Sequence, residues 1–334
     1  MEKIRFAIVG SGWRSLFYVR IAKAMPEKFE LLAMLCRTKE KAEKMAREND
    51  IVTVTDESEV LAMKPDFIVT AVDRDSTNAI ARYYASLGFA VLSETPTAEN
   101  IADLMDTYED IQKGYKLQIA EQYIRYPIYA NMIKLVESGI IGEPVSVHIS
   151  AMHDYHAASV IRHLLKCGCE EVKVTGKDFD TKVTNTKTRY ETLTDGKVVE
   201  RKEQHLLMEY ESGKVAFYDF MSEQYRSGIR KPHVLVRGTR GEICDDMLYF
   251  LDENNLAQEK KITYDKPYEA IGLNEDETAI AGLMLGMKAY ANGGAEVYPM
   301  KEALEDAYLL ALMTQAGANP YKTFEIGERP WKKA

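Results

Sequence analysis

The sequence predicts an α/β protein: a parallel sheet covered by helices on both faces, followed by a second domain rich in antiparallel hairpins. Three observations lead there. The run Ile4–Val9, mostly apolar and rich in β-formers, ends in Gly10-x-Gly12, and a helical pattern follows from Leu16 to Met25. Strand and helix patterns then alternate through the first third of the chain, as they do where helices cover a parallel sheet. Farther on, short strand patterns are separated by Asp195-Gly196, Ser212-Gly213 and Asn254-Asn255, which is the punctuation of hairpins.

In the first part, Glu30–Cys36 reads as the second strand and Lys39–Glu48 as a helix with Ala42, Met45 and Ala46 inward. Asp66–Val72 is the next strand, announced by Pro65, and Ser76–Leu87 is a helix stopped by Gly88. Phe89–Ser93 is a strand, Ala98–Gln112 a helix and Leu117–Ala120 a short last strand. The boundary is placed after residue 122, giving domains 1–122 and 123–334. Pro127 suits the first turn of a helix running to Glu137. Pro144–Ala151 is a long strand that delivers His153, Asp154 and His156 to a helix ending near Gly168, with Asp154 as its N-cap. Strand patterns follow at Val172–Thr175, Lys187–Leu193, Val198–Met208, Val215–Phe220, His233–Arg237, Glu242–Asp245, Leu248–Leu251 and Glu259–Tyr264. Helices Glu275–Ala291 and Lys301–Ala316 close the chain.

Bulk composition narrows the function. The 334 residues carry 46% hydrophobic and 28% charged side chains, ordinary for a globular protein. A net charge of −9 and a pI near 5.4 argue against nucleic acid or an anionic membrane as main partner. Charge follows Met1 at once, so no secretory signal is expected, and no window is apolar enough for a membrane span. Four cysteines in this length point to free thiols and a cytoplasmic location.

Ligands of such sheets sit at the carboxyl ends of the strands. Gly10 can take a backbone conformation that a Cβ forbids, and Gly12 lets the chain pass close to a pyrophosphate at the helix start. Trp13 and Arg14 follow directly, and Arg14 is placed to reach a phosphate. At the end of the second strand, where an acid would bind the ribose of NAD, the chain reads Cys36-Arg37-Thr38. Arg37 can stack on adenine or pair with an adenosine phosphate and Thr38 can donate to it, which favours NADP over NAD.

Taken together, Gly10-x-Gly12, the loop after Val72, Ser93-Glu94-Thr95-Pro96, Ile124-Arg125-Tyr126-Pro127 followed by Gly139-Ile140-Ile141-Gly142, and His156 opening a helix resemble the Gfo/Idh/MocA oxidoreductases. The resemblance spans nearly the whole chain. It implies an N-terminal Rossmann dinucleotide-binding domain and a C-terminal α/β domain with a large open, mostly antiparallel sheet for substrate binding and oligomerisation. It also implies hydride transfer between NAD(P) and a carbon of a sugar, polyol or related compound, in dimers or tetramers built through that sheet. Val72 and Glu94 join the cofactor-binding set on this basis.

The departures lie in the acid–base positions. The family's Glu-Lys-Pro is Glu94-Thr95-Pro96 here, its acid before the helix histidine is Met152, and its later aspartate is Ser159. The loop after the third expected strand reads Asp73-Arg74-Asp75-Ser76-Thr77 rather than a proline-led loop ending in histidine. A threonine hydroxyl positions or relays but takes no proton near neutral pH. Histidine is the natural substitute, so His156 is the expected acid–base group, with Thr95, His153 and Asp154 around it. Tyr123, Arg125 and Tyr126 are the expected substrate contacts. No third ligand accompanies His153 and His156, so no metal is expected there. Two other functions fit the same residues: a nucleotide- and sugar-binding sensor without turnover, and an elimination assisted by transient oxidation with a retained cofactor.

Overall fold

In the computed structural model, residues 2–333 are described, and the chain forms two compact units. The first comprises Met1–Pro127, Asp265–Ala307 and Arg329–Ala334, and the second Ile128–Tyr264 and Tyr308–Glu328. The first crossing lies five residues beyond the 122/123 boundary read from the sequence, and two later segments return to the first unit.

The first unit is built on a six-stranded parallel sheet. Its elements are β1 (Ile4–Val9), α1 (Ser15–Ala24), β2 (Phe29–Leu35), α2 (Lys39–Asn49), β3 (Thr53–Val54), α3 (Glu57–Ala62), β4 (Phe67–Thr70), α4 (Arg74–Ser86), β5 (Val91–Ser93), α5 (Ile101–Gln112) and β6 (Leu117–Ile119). The strand order β3-β2-β1-β4-β5-β6 reverses direction beside β1, which opens a crevice at the strand ends there. Successive side chains of β1 serve both faces: Phe6 and Ile8 enter one core cluster and Ala7 another. The short β3 and α3 escaped the sequence reading, because two strand residues and a six-residue helix leave no periodicity to detect. Asp73–Thr77, read as a loop, is the start of α4 with Asp73 at its N-cap.

The returning segment contributes α8 (Glu275–Ala291), begun by a capping box in which Asn274 and Glu277 satisfy each other's backbone N–H groups. Ile280, Leu283, Met284 and Met287 of α8 are buried in the same cluster as Tyr18 and Ile21 of α1. The last turn of the chain is held by Glu305, which accepts from Arg329 and, at 2.8 Å, from Trp331 Nε1.

In the second unit, α6 (Pro127–Glu137) leads into β7 (Pro144–Ser150) and α7 (Asp154–Leu165). Strands β8 (Val172–Thr184), β9 (Val198–Tyr210), β10 (Val215–Phe220), β11 (His233–Gly238), β12 (Gly241–Cys244), β13 (Met247–Leu251), β14 (Ala257–Lys261) and β15 (Phe324–Glu325) complete a nine-stranded sheet with β7. Its order is β14-β13-β12-β11-β7-β10-β9-β8-β15, antiparallel throughout except where β7 and β10 run parallel. One face is apolar and covered: Val147, Ile149, Leu206, Met208, Ala216, Tyr218, Val234 and Val236 are buried. The expected strand Lys187–Leu193 is a turn closed by one bridge, Lys187 to Thr192, between the long strands β8 and β9. Helix α9 (Met300–Ala318) spans the later crossing between units. All four cysteines are free thiols. Among the described residues, no helix is long and apolar enough to cross a membrane.

Candidate functional site

The first unit holds a cavity of about 570 Å³ at the carboxyl ends of β1, β2 and β4. Gly10, Gly12, Trp13, Arg14, Arg37, Thr38 and Val72 of the expected cofactor set all line it. Gly10 has φ +109°, and a Cβ there would stand 2.2 Å from Ala71 O, so only glycine lets β1 and β4 close up at this point. A Cβ on Gly12 would meet nothing within 4 Å; the backbone there borders open space. Ser15, in place of a third glycine, donates from Oγ to Gly10 O at 3.0 Å and ties the loop to the helix. The N-terminus of α1 has no acidic residue in its first turn and no side-chain cap, so its N–H groups suit an anion. This concave loop, without a Cβ at Gly10 and Gly12 and backed by a helix start, fits a dinucleotide pyrophosphate.

At the rim, Thr38 caps α2 by accepting from Lys41 N at 3.3 Å, and Lys41 also lines the cavity. Lys41 was missed because its separation from Arg37 reads as a solvated helix turn; only the capped start of α2 turns it towards the cavity. Arg37 is largely exposed and pairs with Asp73 at 3.7 Å.

Arg14 and Glu94, both expected at the cofactor, are engaged with each other. Arg14 Nε donates to Glu94 Oε1 at 2.8 Å and Nη1 to Asp276 Oδ2 at 2.9 Å, while Tyr18 OH donates to Glu94 Oε1 at 2.6 Å. The Gln122 amide, its carbonyl oxygen turned towards Arg14, accepts from Nη2 at 3.0 Å. Glu94 does not line the cavity. Burial, reinforced by the negative Glu94, pushes the Tyr18 phenol well above its ordinary value. Arg14 thus borders the cavity while joining three segments of its unit, and Asp276, which completes the set, lies far along the sequence. Thr95 is partly buried beside this network, on the turn after β5.

Tyr123 and Tyr126 stack with ring centroids 4.5 Å apart and planes 14° from parallel. Arg125, between them in sequence, donates to Val297 O.

The histidine cluster belongs to the second unit. The N-cap of α7 is His153, not Asp154 as the sequence suggested; Asp154 is the first helical residue. Its Oδ1 instead accepts from the backbone N–H of Tyr155 and lies 2.7 Å from His153 Nδ1. Tyr225 OH accepts from His153 N at 2.9 Å and Tyr218 OH from Asp154 N at 3.0 Å, which fixes this helix start against β10 and the turn after it. His156 is 4% exposed, with its ring centroid 4.7 Å from that of His153. His163 packs back on its own helix through Ser159 O.

Residues 4–123 match the family model described as "Oxidoreductase family, NAD-binding Rossmann fold", that of the Gfo/Idh/MocA proteins. That match agrees with the resemblance read from the sequence, and the class it defines over these residues is an oxidoreductase with an NAD-binding Rossmann fold. Solved structures extend the likeness over both units. Levoglucosan dehydrogenase in complex with NADH and levoglucosan superposes with a TM-score of 0.75 at 17% identity, covering 98% of this chain and 100% of the other. An oxidoreductase from Agrobacterium radiobacter, solved with NAD+, L-tartaric acid and magnesium, gives 0.72 at 16% identity, with coverages of 97% and 98%. An NAD-binding oxidoreductase from Klebsiella pneumoniae gives 0.73 at 16%, with coverages of 98% and 100%. At these identities the likeness is one of fold. No curated protein matches the chain by sequence.

Proposed function

We propose that the protein is an NAD(P)-dependent dehydrogenase that moves a hydride at a carbinol carbon of a small sugar, polyol or sugar derivative, with His156 as the acid–base group. The carrying observation is the cradle at Gly10–Gly12, where the backbone borders open space at a bare helix start. The neighbours solved with sugars or a hydroxy acid support the substrate class.

When bound, the nicotinamide ring supplies the hydride acceptor. The His156 imidazole takes the carbinol proton during oxidation and returns it in the reverse direction. Asp154 orients the neighbouring His153 through Nδ1, leaving Nε2 of that ring as the acceptor. Thr95 positions the substrate hydroxyl without taking its proton. The stacked Tyr123–Tyr126 pair offers a flat face to a sugar ring, and Arg125 holds a hydroxyl. NADP is preferred over NAD, because Arg37, Thr38 and Lys41 at the rim suit an adenosine phosphate. The chain assembles as a homodimer or homotetramer through the second unit's sheet, whose uncovered face carries the half-exposed Phe217 and Tyr249.

The test is a panel of sugars and polyols with NAD and NADP, followed by reduced-nicotinamide absorbance and by product analysis. Turnover is expected, preferentially with NADP. His156→Ala should lower kcat by about 10²–10⁴ while nucleotide still binds. Gly10→Ala should abolish nucleotide binding, and Arg37→Glu should weaken NADP roughly tenfold with little change for NAD. Nucleotide binding with no turnover on any substrate would make the protein a sensor instead. Sugar consumed at constant absorbance would indicate elimination with a retained cofactor.

A further inference from the structure

We propose that the uncovered face of the nine-stranded sheet carries a site for a borderline divalent metal ion, zinc in class, held by His148, Glu203, His205 and Asp219. Three of the six histidines in the chain lie on this face, on strands whose opposite face forms the core. Side chains two apart on a strand share a face, so Glu203 and His205 project together from β9. Register places Asp219 of β10 directly opposite His205. On the other side of β10, His148 of β7 stands opposite Phe217, diagonal to Asp219.

The side chains converge accordingly. The ligand atoms of Glu203, His205 and Asp219 all lie within 4.8 Å of one another. His205 Nε2 is 3.0 Å from Glu203 Oε1, and His148 Nε2 is hydrogen-bonded to Asp219 Oδ1. Ligands on a tetrahedral zinc ion sit about 3.3–3.5 Å apart, given bonds of about 2.0–2.2 Å. Glu203, His205 and Asp219 thus form the converged group, and His148, which already meets Asp219 Oδ1, would rotate to supply the fourth ligand.

Supporting contacts hold the central ligand. Ser150 Oγ donates to Asp219 Oδ2, and Gln224 Nε2 donates to Ser150 Oγ at 2.9 Å, leaving Oδ1 to His148. The Phe179 ring packs edge-on against His205, centroids 4.9 Å apart, and limits its swing. Two neutral imidazoles with two carboxylates suit zinc and its neighbours; magnesium and calcium, which take oxygen ligands and more of them, fit poorly. The ion would tie β7, β10 and β9 together across their exposed side.

The experiment titrates ZnCl2 into the chelator-treated, desalted full-length protein by calorimetry in two buffers of different ionisation enthalpy, with MgCl2 in parallel. One zinc site per chain with an affinity of about 1 μM or tighter and no magnesium binding are expected. His148→Ala/His205→Ala should weaken zinc by about 100-fold or more and abolish the zinc-induced rise in Tm. Asp219→Asn keeps the shape and the Ser150 contact and should weaken zinc at least about tenfold, should the double variant not fold. His233→Ala/Cys244→Ser, which removes the neighbouring His233–Asp245 group, should stay within about threefold of the parent. Millimolar binding, unchanged affinity in the first two variants, or loss only in the last would overturn the site. The outcome stands apart from the nucleotide assays, because none of these residues takes part in the proposed hydride chemistry; the patch shares the face proposed for assembly, so the ion would lie at or beside the seam between subunits and the titration is run on the assembled protein.

Discussion

The Arg14 network of the first unit and the histidine–carboxylate row of the second unit use similar chemistry under different exposure. Arg14 and Glu94 have side chains only 14% and 11% exposed, whereas His148 and His205 are 36% and 51% exposed. In the first, Arg14 is enclosed by Glu94, Asp276 and Gln122, and Asp276 Oδ1 is buried without a hydrogen-bond partner, so the network depends on the one guanidinium. Removing one group strands the others in a medium that solvates them poorly. In the second, water is available to each ring of the single chain, so a lost partner is replaced cheaply and an incoming ion can compete for the ring nitrogens and carboxylate oxygens. Buried pairs of this kind fix a shape; half-exposed ones remain free to change partners.

The sharpest way to break this contrast is Arg14→Ala. It leaves Glu94 and Asp276 facing each other without their cation, and a loss of about 3–5 kcal/mol is expected in urea denaturation. A loss under about 1 kcal/mol would show that water already reaches the network.

Tyr18→Phe has a smaller effect with a distinct pH signature. The variant removes one hydrogen bond to Glu94, costing about 1–2 kcal/mol at neutral pH. Burial first, and Glu94 second, hold the folded phenol well above its unfolded value of about 10. The folded state therefore keeps a proton that the unfolded chain loses. Stability from this group is complete below pH of about 10 and falls as pH rises beyond it, by about 1.4 kcal/mol per unit. Denaturation between pH 9 and about 11 should show a shallower alkaline decline in Tyr18→Phe than in the parent.

His205→Ala should matter least for stability, costing under about 1 kcal/mol in the absence of metal, since exposed ion pairs contribute little. A larger metal-free loss would mean that the sheet face is packed as firmly as the Arg14 network.

How far the sequence reaches can be judged from particular residues. The strand, turn and helix around the proposed cofactor cradle were legible because their signal is local: strand, Gly10-x-Gly12 and helix start lie within a dozen residues, and the steric demand on glycine acts over the same range. The place of Arg37 and Thr38 on the cavity wall was legible for the same reason. Lys41 needed the capped geometry of α2. The partners of Arg14 did not show in its neighbourhood, because Asp276 arrives on α8 some 260 positions later. The shift of the α7 cap from Asp154 to His153 was likewise decided by Tyr218 and Tyr225, on or just beyond a distant strand.

By itself the chain determined most of its strands and helices, the glycine turn between β1 and α1, and a threonine at position 95. These depend on backbone preferences and side-chain chemistry that act between neighbours. Only the tertiary structure decided that α8 returns to the first unit, that Arg14 is enclosed by Glu94 and Asp276, and that His148, Glu203, His205 and Asp219 share one patch. Strand register and helix docking set those contacts, and both are fixed by burying apolar faces that lie far apart along the chain.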